Sequence, residues 1–291
     1  MKKYIYKLFA VSFVFLLLIT TLLLVKAHIV RTIDWKLPQE KHILFMGASH
    51  VYHAIDDSML KSAVNLGKPS ERYMYSYFKL QEILKVNPQI DTIFLQCSST
   101  DLWQDTDYKY HMLNEQSYYV KTYWPLFSKE EWQVFDNEPI PVLNIIVSSV
   151  LNKREYSHKY VKESMGGFAP LSISRGELDS TMVTEDLEIN HIKEYGDYGT
   201  SVNYLYLRKF IELCNNKSIK LYLVYYPVYK PELFYDQAFC DASRKNYFSD
   251  VEYLDYSHWP CSGQERMDAH HLNWQGAKHF TQFIKDSLGI N

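Results

Sequence analysis

The feature that most constrains this chain is a series of short apolar runs, each closed by glycine or a polar cluster and most of them separated by a helical pattern. His42-Ile-Leu-Phe-Met-Gly47 is the clearest of them. Such a run, with no polar alternation, predicts a strand buried on both faces, as in a parallel sheet. Ala63-Val-Asn-Leu-Gly67 and Asp91-Thr-Ile-Phe-Leu-Gln-Cys97 read as the second and third strands. Ile219 to Val224, ended by Tyr226-Pro227, and Val251 to Asp255 read as the fourth and fifth. Between them lie apolar residues at helical spacing, first Tyr73, Tyr77, Leu80 and Leu84, then Val202, Leu205, Tyr206, Phe210 and Leu213. A last helix carries Ala277, Phe280, Ile284 and Leu288 on one face, with Asn273 as its N-cap. Strands alternating with helices predict a three-layer α/β/α domain with a mostly parallel five-stranded sheet and right-handed crossovers. Ligands in such folds bind at the carboxyl ends of the strands.

Ahead of this domain, Leu8 to Val25 is an 18-residue uncharged run preceded by Lys2, Lys3 and Lys7. That length meets the lower limit for a membrane span, and no small-x-small cleavage site closes it. Residues 1–26 are therefore read as an uncleaved membrane anchor, 27–41 as a stalk, and 42–291 as the domain beyond it. The N-terminal lysines favour a cytoplasmic N-terminus and an outward-facing domain. From 103 to 199 the strand–helix rhythm lapses, and the segment reads as a large insertion or cap. Within it, Ser128-Lys-Glu-Glu131 is a capping box, Ile140 to Leu151 is apolar but too short to span, and Gly166-Gly-Phe-Ala-Pro170 is a turn signal.

A net charge of −3 and pI near 6.4 give no electrostatic reason to expect nucleic acid as a partner. The four cysteines have no CxxC spacing, which argues against a zinc or redox motif. Cys240 and Cys261 could pair in an oxidising compartment, and free thiols fit equally well. The 25 tyrosines fit core and edge packing, including the run from 222 to 229, better than a sugar platform.

Applied to this chain, the strand-end rule brings Ser49, Gly67, Thr100 and Asp101 to one edge of the sheet. Asp268 and His271, three residues apart before the last helix, reach the same edge through their loop. A serine hydroxyl becomes a nucleophile when a base removes its proton, and an imidazole suits that task. Asp268 could hold the ring of His271 in the required tautomer. The amides of Ser49 and Gly67 and the Thr100 hydroxyl are candidate donors to an oxyanion.

These blocks resemble, in order, those of the SGNH hydrolases, also called GDSL-like esterases. Gly47-Ala-Ser49 is similar to the nucleophile block, with Ala48 where Asp is common. Gly67 corresponds to the glycine oxyanion block. Ser98-Ser-Thr-Asp101 resembles Gly-x-Asn-Asp, with Thr100 in place of the oxyanion Asn. Asp268-Ala-His-His271 matches Asp-x-x-His in full. The resemblance covers residues 42–101 and 200–290. It implies a flavodoxin-like SGNH fold and acyl transfer or ester hydrolysis through a serine acyl-enzyme, with no metal or organic cofactor. The anchor, the Gly-x-Ser-His variant and the His-Leu-Asn-x-x-Gly ending are similar to a bacterial branch that O-acetylates or D-alanylates cell-envelope polymers. That branch implies a single-pass inner-membrane protein with an extracytoplasmic (periplasmic) domain, a glycan or acyl-ester substrate, and a membrane acyltransferase as a possible partner.

Simpler readings stand beside these. Ser49 could merely cap the following helix, Gly67 serve only a tight turn, and Asp101 act as a helix cap or structural anion. His50 and His53 suit pocket walls, and His270 rivals His271 as base. A metal held by His50, His270 and His271 is conceivable, although adjacent histidines seldom point at one ion. A degenerate domain that binds polysaccharide or recruits an acyltransferase is the alternative that Thr100 favours.

Overall fold

The computed structural model describes residues 2–102, 113–136, 138–163, 165–172, 201–229 and 237–291. They form two compact units, Met1–Asp34 with Lys109–Ser164, and Trp35–Tyr108 with Met165–Asn291.

In the first unit, helix α1 (Lys2–Arg31) carries the apolar run and continues five residues past the expected anchor boundary. Its side chains from Tyr4 to Leu18 are exposed, while Lys26, Ala27, Ile29 and Val30 are buried. A helix this long, apolar and exposed is compatible with a single-pass membrane anchor.

The second unit contains β1 (Ile43–Met46), α2 (Ser49–Ala54), β2 (Ala63–Asn65), α3 (Tyr73–Val86), β3 (Thr92–Gln96) and α4 (Ser99–Leu102). The chain then passes into the first unit, where α5 (Leu113–Tyr123), α6 (Lys129–Gln133), α7 (Pro139–Val150) and α8 (His158–Glu163) follow. Ser128 and Glu131 form the expected capping box on α6. Arg31 at the end of α1 donates twice to the Pro125 carbonyl, at 3.0 and 2.9 Å. The second unit resumes with α9 (Val202–Asn216), β4 (Lys220–Tyr225), α10 (Gln237–Tyr247), β5 (Glu252–Asp255) and α11 (Trp274–Leu288).

The five strands form one sheet in the order β2-β1-β3-β4-β5, every pair parallel. Because side chains alternate across a strand, Ile43 and Phe45 face one layer, and Leu44 and Met46 the other. On the first face, Phe45, Phe94 and Tyr222 stand in register and stack at 4.8 Å, above a core that includes Val51, Phe280 and Ile284. Helices α2 and α11 pack together there, while α3 pairs with α9 on the other face. The α/β/α expectation holds, and the parallel order brings all five strand ends to one edge.

Helix α3 differs from the one-sided stripe its sequence predicts. Met74, Tyr75, Ser76, Phe78 and Lys79 are buried beside Tyr73 and Leu80, so its first turns are enclosed nearly all round. Lys79 is tolerated because its ammonium is fully bonded, to Glu71 Oε2 at 2.7 Å and to the Leu66 and Met165 carbonyls at 2.5 and 2.7 Å. Residues 165–172, expected within the insertion, are part of the second unit. Gly166, at φ +140°, lies so close to Leu66 that a Cβ would come 2.5 Å from its carbonyl oxygen. Cys97, Cys214 and Cys261 are free thiols, and the Cys240 side chain lies outside the described residues.

Candidate active site

Three local structures meet at the strand edge. The first is the sharp turn from β1 into α2. Gly47 has φ +135°, and a Cβ there would fall 2.3 Å from Cβ of Gln96, so the close passage of the two chains requires glycine. Ser49 follows as the first residue of α2, where a backbone N–H has no partner within its own helix. Gln96, at the end of β3, fixes this turn. Its Oε1 accepts from the amides of Ala48 and Val51 at 3.1 and 3.3 Å, and its Nε2 donates to the Asp101 carboxylate at 3.3 and 3.1 Å. Asp101 also accepts from the Ser98 amide and hydroxyl at 2.9 and 2.7 Å. Asp101 thus serves as a structural anion that orients Gln96.

The second structure is the loop before α11. Asn273 caps that helix through its Oδ1 and donates its Nδ2 to the Gln264 and Arg266 carbonyls, at 2.6 and 3.2 Å. The Met267 amide bonds the His271 carbonyl at 3.0 Å, closing a small turn, and the Tyr229 amide bonds the Ala269 carbonyl at 2.8 Å. Within the turn, Asp268 Oδ1 accepts the amides of His270 and His271 at 2.7 and 2.8 Å. Both Asp268 oxygens lie 2.9 Å from His271 Nδ1, and His271 Nε2 lies 2.9 Å from Ser49 Oγ. A carboxylate partner at Nδ1 assigns the ring proton to that nitrogen and leaves Nε2 as an acceptor facing the serine hydroxyl. Burial pushes the Asp268 carboxyl up, but the hydrogen bond and charge of His271, with the two amides, outweigh it and bring it down to about 2.

The third is the Leu66–Gly67 turn after β2. Gly67 was expected to offer its amide to an oxyanion. Instead that N–H donates to Asn65 Oδ1 at 2.9 Å, so it is already committed. Asn65 in turn donates its Nδ2 to the Val51 and Ile55 carbonyls at 2.8 and 2.7 Å, tying β2 to the far end of α2. The Gly67 carbonyl accepts from Gly167, and the Tyr52 carbonyl from Ala169. Thr100 is in the short helix α4, and its side chain lies outside the described residues.

Three further imidazoles surround His271. His53 and His50 lie 5.4 and 5.5 Å from its ring, and His270 6.2 Å. His53 Nδ1 donates to the Ala169 carbonyl at 2.7 Å. His50 is buried, its Nδ1 has no partner, and burial with the neighbouring His271 and His270 lowers it to about 3, so it is neutral near pH 7. Burial also lowers His53 and His270. Among the described residues no group of three His, Cys, Asp or Glu side chains is placed to hold a metal ion. Beside the site, Phe168, Pro170, Leu171, Met59, Trp274 and Lys278 line a cavity of about 660 Å³ in which Trp274 is 44% exposed.

Sequence reasoning found Ser49, Asp268 and His271, which the fold brings together. It missed Gln96 and Asn65. The available signal was a polar residue at the end of an otherwise apolar strand, which must find buried partners.

No family model matches this chain, and no curated protein does. Among solved structures, it is similar to a protein from Streptococcus pneumonia provisionally named a platelet activating factor. That likeness has 16% identity and a TM-score of 0.38, over 96% of this chain and 98% of the other. It is also similar to a provisionally named acylhydrolase from Bacteroides fragilis NCTC 9343, at 11% identity and a TM-score of 0.38, over 90% and 93% of the two chains. Superpositions this loose have no bearing on chemistry, which rests on the side chains described above.

Proposed function

We propose that this chain is a serine esterase or O-acyltransferase of SGNH type, anchored by α1 with its domain on the extracytoplasmic side of a bacterial inner membrane. The observation that carries the chemistry is the unbroken line from Asp268 through His271 to Ser49, with 2.9 Å at each hydrogen bond. In this reading His271 Nε2 takes the Ser49 hydroxyl proton as Oγ attacks an ester carbonyl. Asp268 holds the ring and offsets the imidazolium charge. His271 then returns the proton to the departing alkoxide, leaving an acyl group on Ser49. Water or a sugar hydroxyl, deprotonated by the same nitrogen, releases it. The Ser49 amide serves the oxyanion, with the Thr100 hydroxyl as second donor. A cell-envelope polysaccharide is the proposed substrate, and the Trp274 cavity suits a sugar ring against an exposed indole.

The test is turnover of a generic acetyl ester together with labelling by a fluorophosphonate. Ser49→Ala should lose about 10³-fold or more in kcat/KM and all labelling, with an unchanged thermal midpoint. Equal activity in the variant would sink the proposal.

A second reading has its own support. With the Gly67 amide bonded to Asn65, the oxyanion site lacks one expected donor, which favours a domain that binds polysaccharide or an acyltransferase partner without turnover. Failure of wild-type Ser49 to react with the fluorophosphonate, alongside retained glycan binding, would select this reading.

A further inference from the structure

Outside α1, the exposed large hydrophobic side chains among the described residues are Val86, Ile140, Leu143, Leu151, Leu205 and Trp274. Three of these six belong to α7 and the residue after it. Ile140, Leu143 and Leu151 are 71%, 56% and 68% exposed, with half-buried Val147 completing a stripe at spacings of three, four and four. One face of the helix is thus apolar and uncovered. An adjoining face, with Val142, Ile146 and Val150, is buried, and α7 packs against α1 and α5. This helix therefore has two apolar faces, of which its own unit uses only one.

The place where α7 meets α1 indicates what covers the other. A hydrocarbon core needs about 20 apolar helical residues, with a lower limit of about 17, and α1 supplies an uncharged run of 18, Leu8 to Val25. Yet the buried residues of α1 are Ile19 and then, past exposed Leu24 and Val25, Lys26, Ala27, Ile29 and Val30. The neighbouring helices therefore meet it where a span would leave the hydrocarbon for the headgroups. The ends of α7 suit that level. Asp136 and Glu138 precede it, and exposed Lys153 and Arg154 follow Leu151 after Asn152. Charges at both ends prevent the helix from entering the core lengthwise and favour a position along the surface, its stripe facing the acyl chains. The two cations are placed to meet anionic headgroups.

We infer that α7 is an interfacial helix that lies in one leaflet of the bilayer beside α1, with Ile140, Leu143, Val147 and Leu151 against lipid and Lys153 and Arg154 at the headgroup phosphates. This rests on the reading of α1 as a membrane span. It gives the chain a second, shallow membrane contact separate from the span.

The test uses the full chain in vesicles of equal phosphatidylcholine and phosphatidylglycerol. Cys240 and Cys261 are replaced by serine, and buried Cys97 and Cys214 are retained. Single cysteines at Leu143, Leu151, Val14 and Lys159 each carry a polarity-sensitive fluorophore. Lipids with a quencher near the headgroup should extinguish most of the emission at Leu143→Cys and Leu151→Cys, and leave Lys159→Cys unaffected. A quencher deep in the acyl chains should act on Val14→Cys. If Val14 is quenched while Leu143 and Leu151 behave like Lys159, the span stands and the interfacial helix is refuted. If Leu143 and Leu151 are shielded from water yet untouched by either lipid quencher, a protein surface covers the stripe and the inference is again overturned. If Val14 is not quenched, the span reading itself fails and the inference falls with it.

Discussion

The two halves of the candidate site are built in different ways. The base half is local. Asp268, His270 and His271 lie within four residues, and the carboxylate binds two backbone amides of its own turn as well as the imidazole. The half around Ser49, to which the proposed function gives the nucleophile and the oxyanion donors, is assembled from distant parts. Gln96 reaches 48 residues back to the Ala48 amide, and Lys79 reaches 86 residues forward to the Met165 carbonyl. A local turn can be right or wrong by itself. A network of buried polar groups depends on every member being satisfied.

The sharpest way to break the base half is Asp268→Asn. The amide oxygen can still accept from His270 and His271, so the turn should hold. The amide nitrogen, in the place of Oδ2, donates to His271 Nδ1 where the carboxylate accepted, and in competition with the remaining oxygen it favours the tautomer with the ring proton on the nitrogen that must face Ser49. On the proposed mechanism kcat should fall by up to about 10⁴-fold with little change in the unfolding midpoint. A loss of under tenfold in steady-state kinetics would show that the tautomer is held by something else.

The other half should break by unfolding rather than by chemistry. Lys79→Met removes a wholly buried ammonium and leaves Glu71 and the Leu66 and Met165 carbonyls without it. Breaking a buried pair from one side costs about 3–5 kcal/mol. Urea denaturation should report a loss of that order, and one below about 1 kcal/mol would mean that water replaces the ammonium. Gln96→Leu keeps the volume but strands the Ala48 and Val51 amides and one side of Asp101, for a smaller cost of about 1–3 kcal/mol. If the reading is right, Gln96→Leu also lowers fluorophosphonate labelling in the molecules that remain folded, because the Ser49 turn loosens.

This division explains what could be read from the sequence. Ser49, Asp268 and His271 were legible because a strand-end glycine and a three-residue spacing before a capped helix are local patterns with local causes. The parallel sheet was legible because continuous apolar runs have few other uses. Gln96, Asn65 and Lys79 were not, because periodicity reports burial and says nothing about which distant carbonyl a buried polar group will meet. Gly67 was misassigned for the same reason. A glycine after a strand signals a tight turn, but only the position of the Asn65 side chain determines where its amide points. The return of residues 165–172 to the second unit depends on contacts with Leu66, Gly67 and Tyr52 that no window of sequence contains.

The smallest effect expected separates the two halves by pH. His50 titrates at about 3 in the folded chain against 6.5 for the ordinary group. Between those values the unfolded chain binds a proton that the folded chain refuses, so stability rises with pH across the window and is lost as pH falls from 6.5 toward 3. His53 and His270 are lowered too and add to the same slope. Asp268 is lowered to about 2 from 3.8, so its contribution is complete above 3.8 and disappears only as pH falls through about 2. The imidazole window therefore opens first on acidification. His50→Phe, which replaces the ring with an apolar one, should flatten part of the slope in thermal midpoint between pH 6.5 and about 3 and leave the lower window in place. An unchanged slope would mean that His50 is protonated in the folded chain, through a partner for Nδ1 such as a bound water.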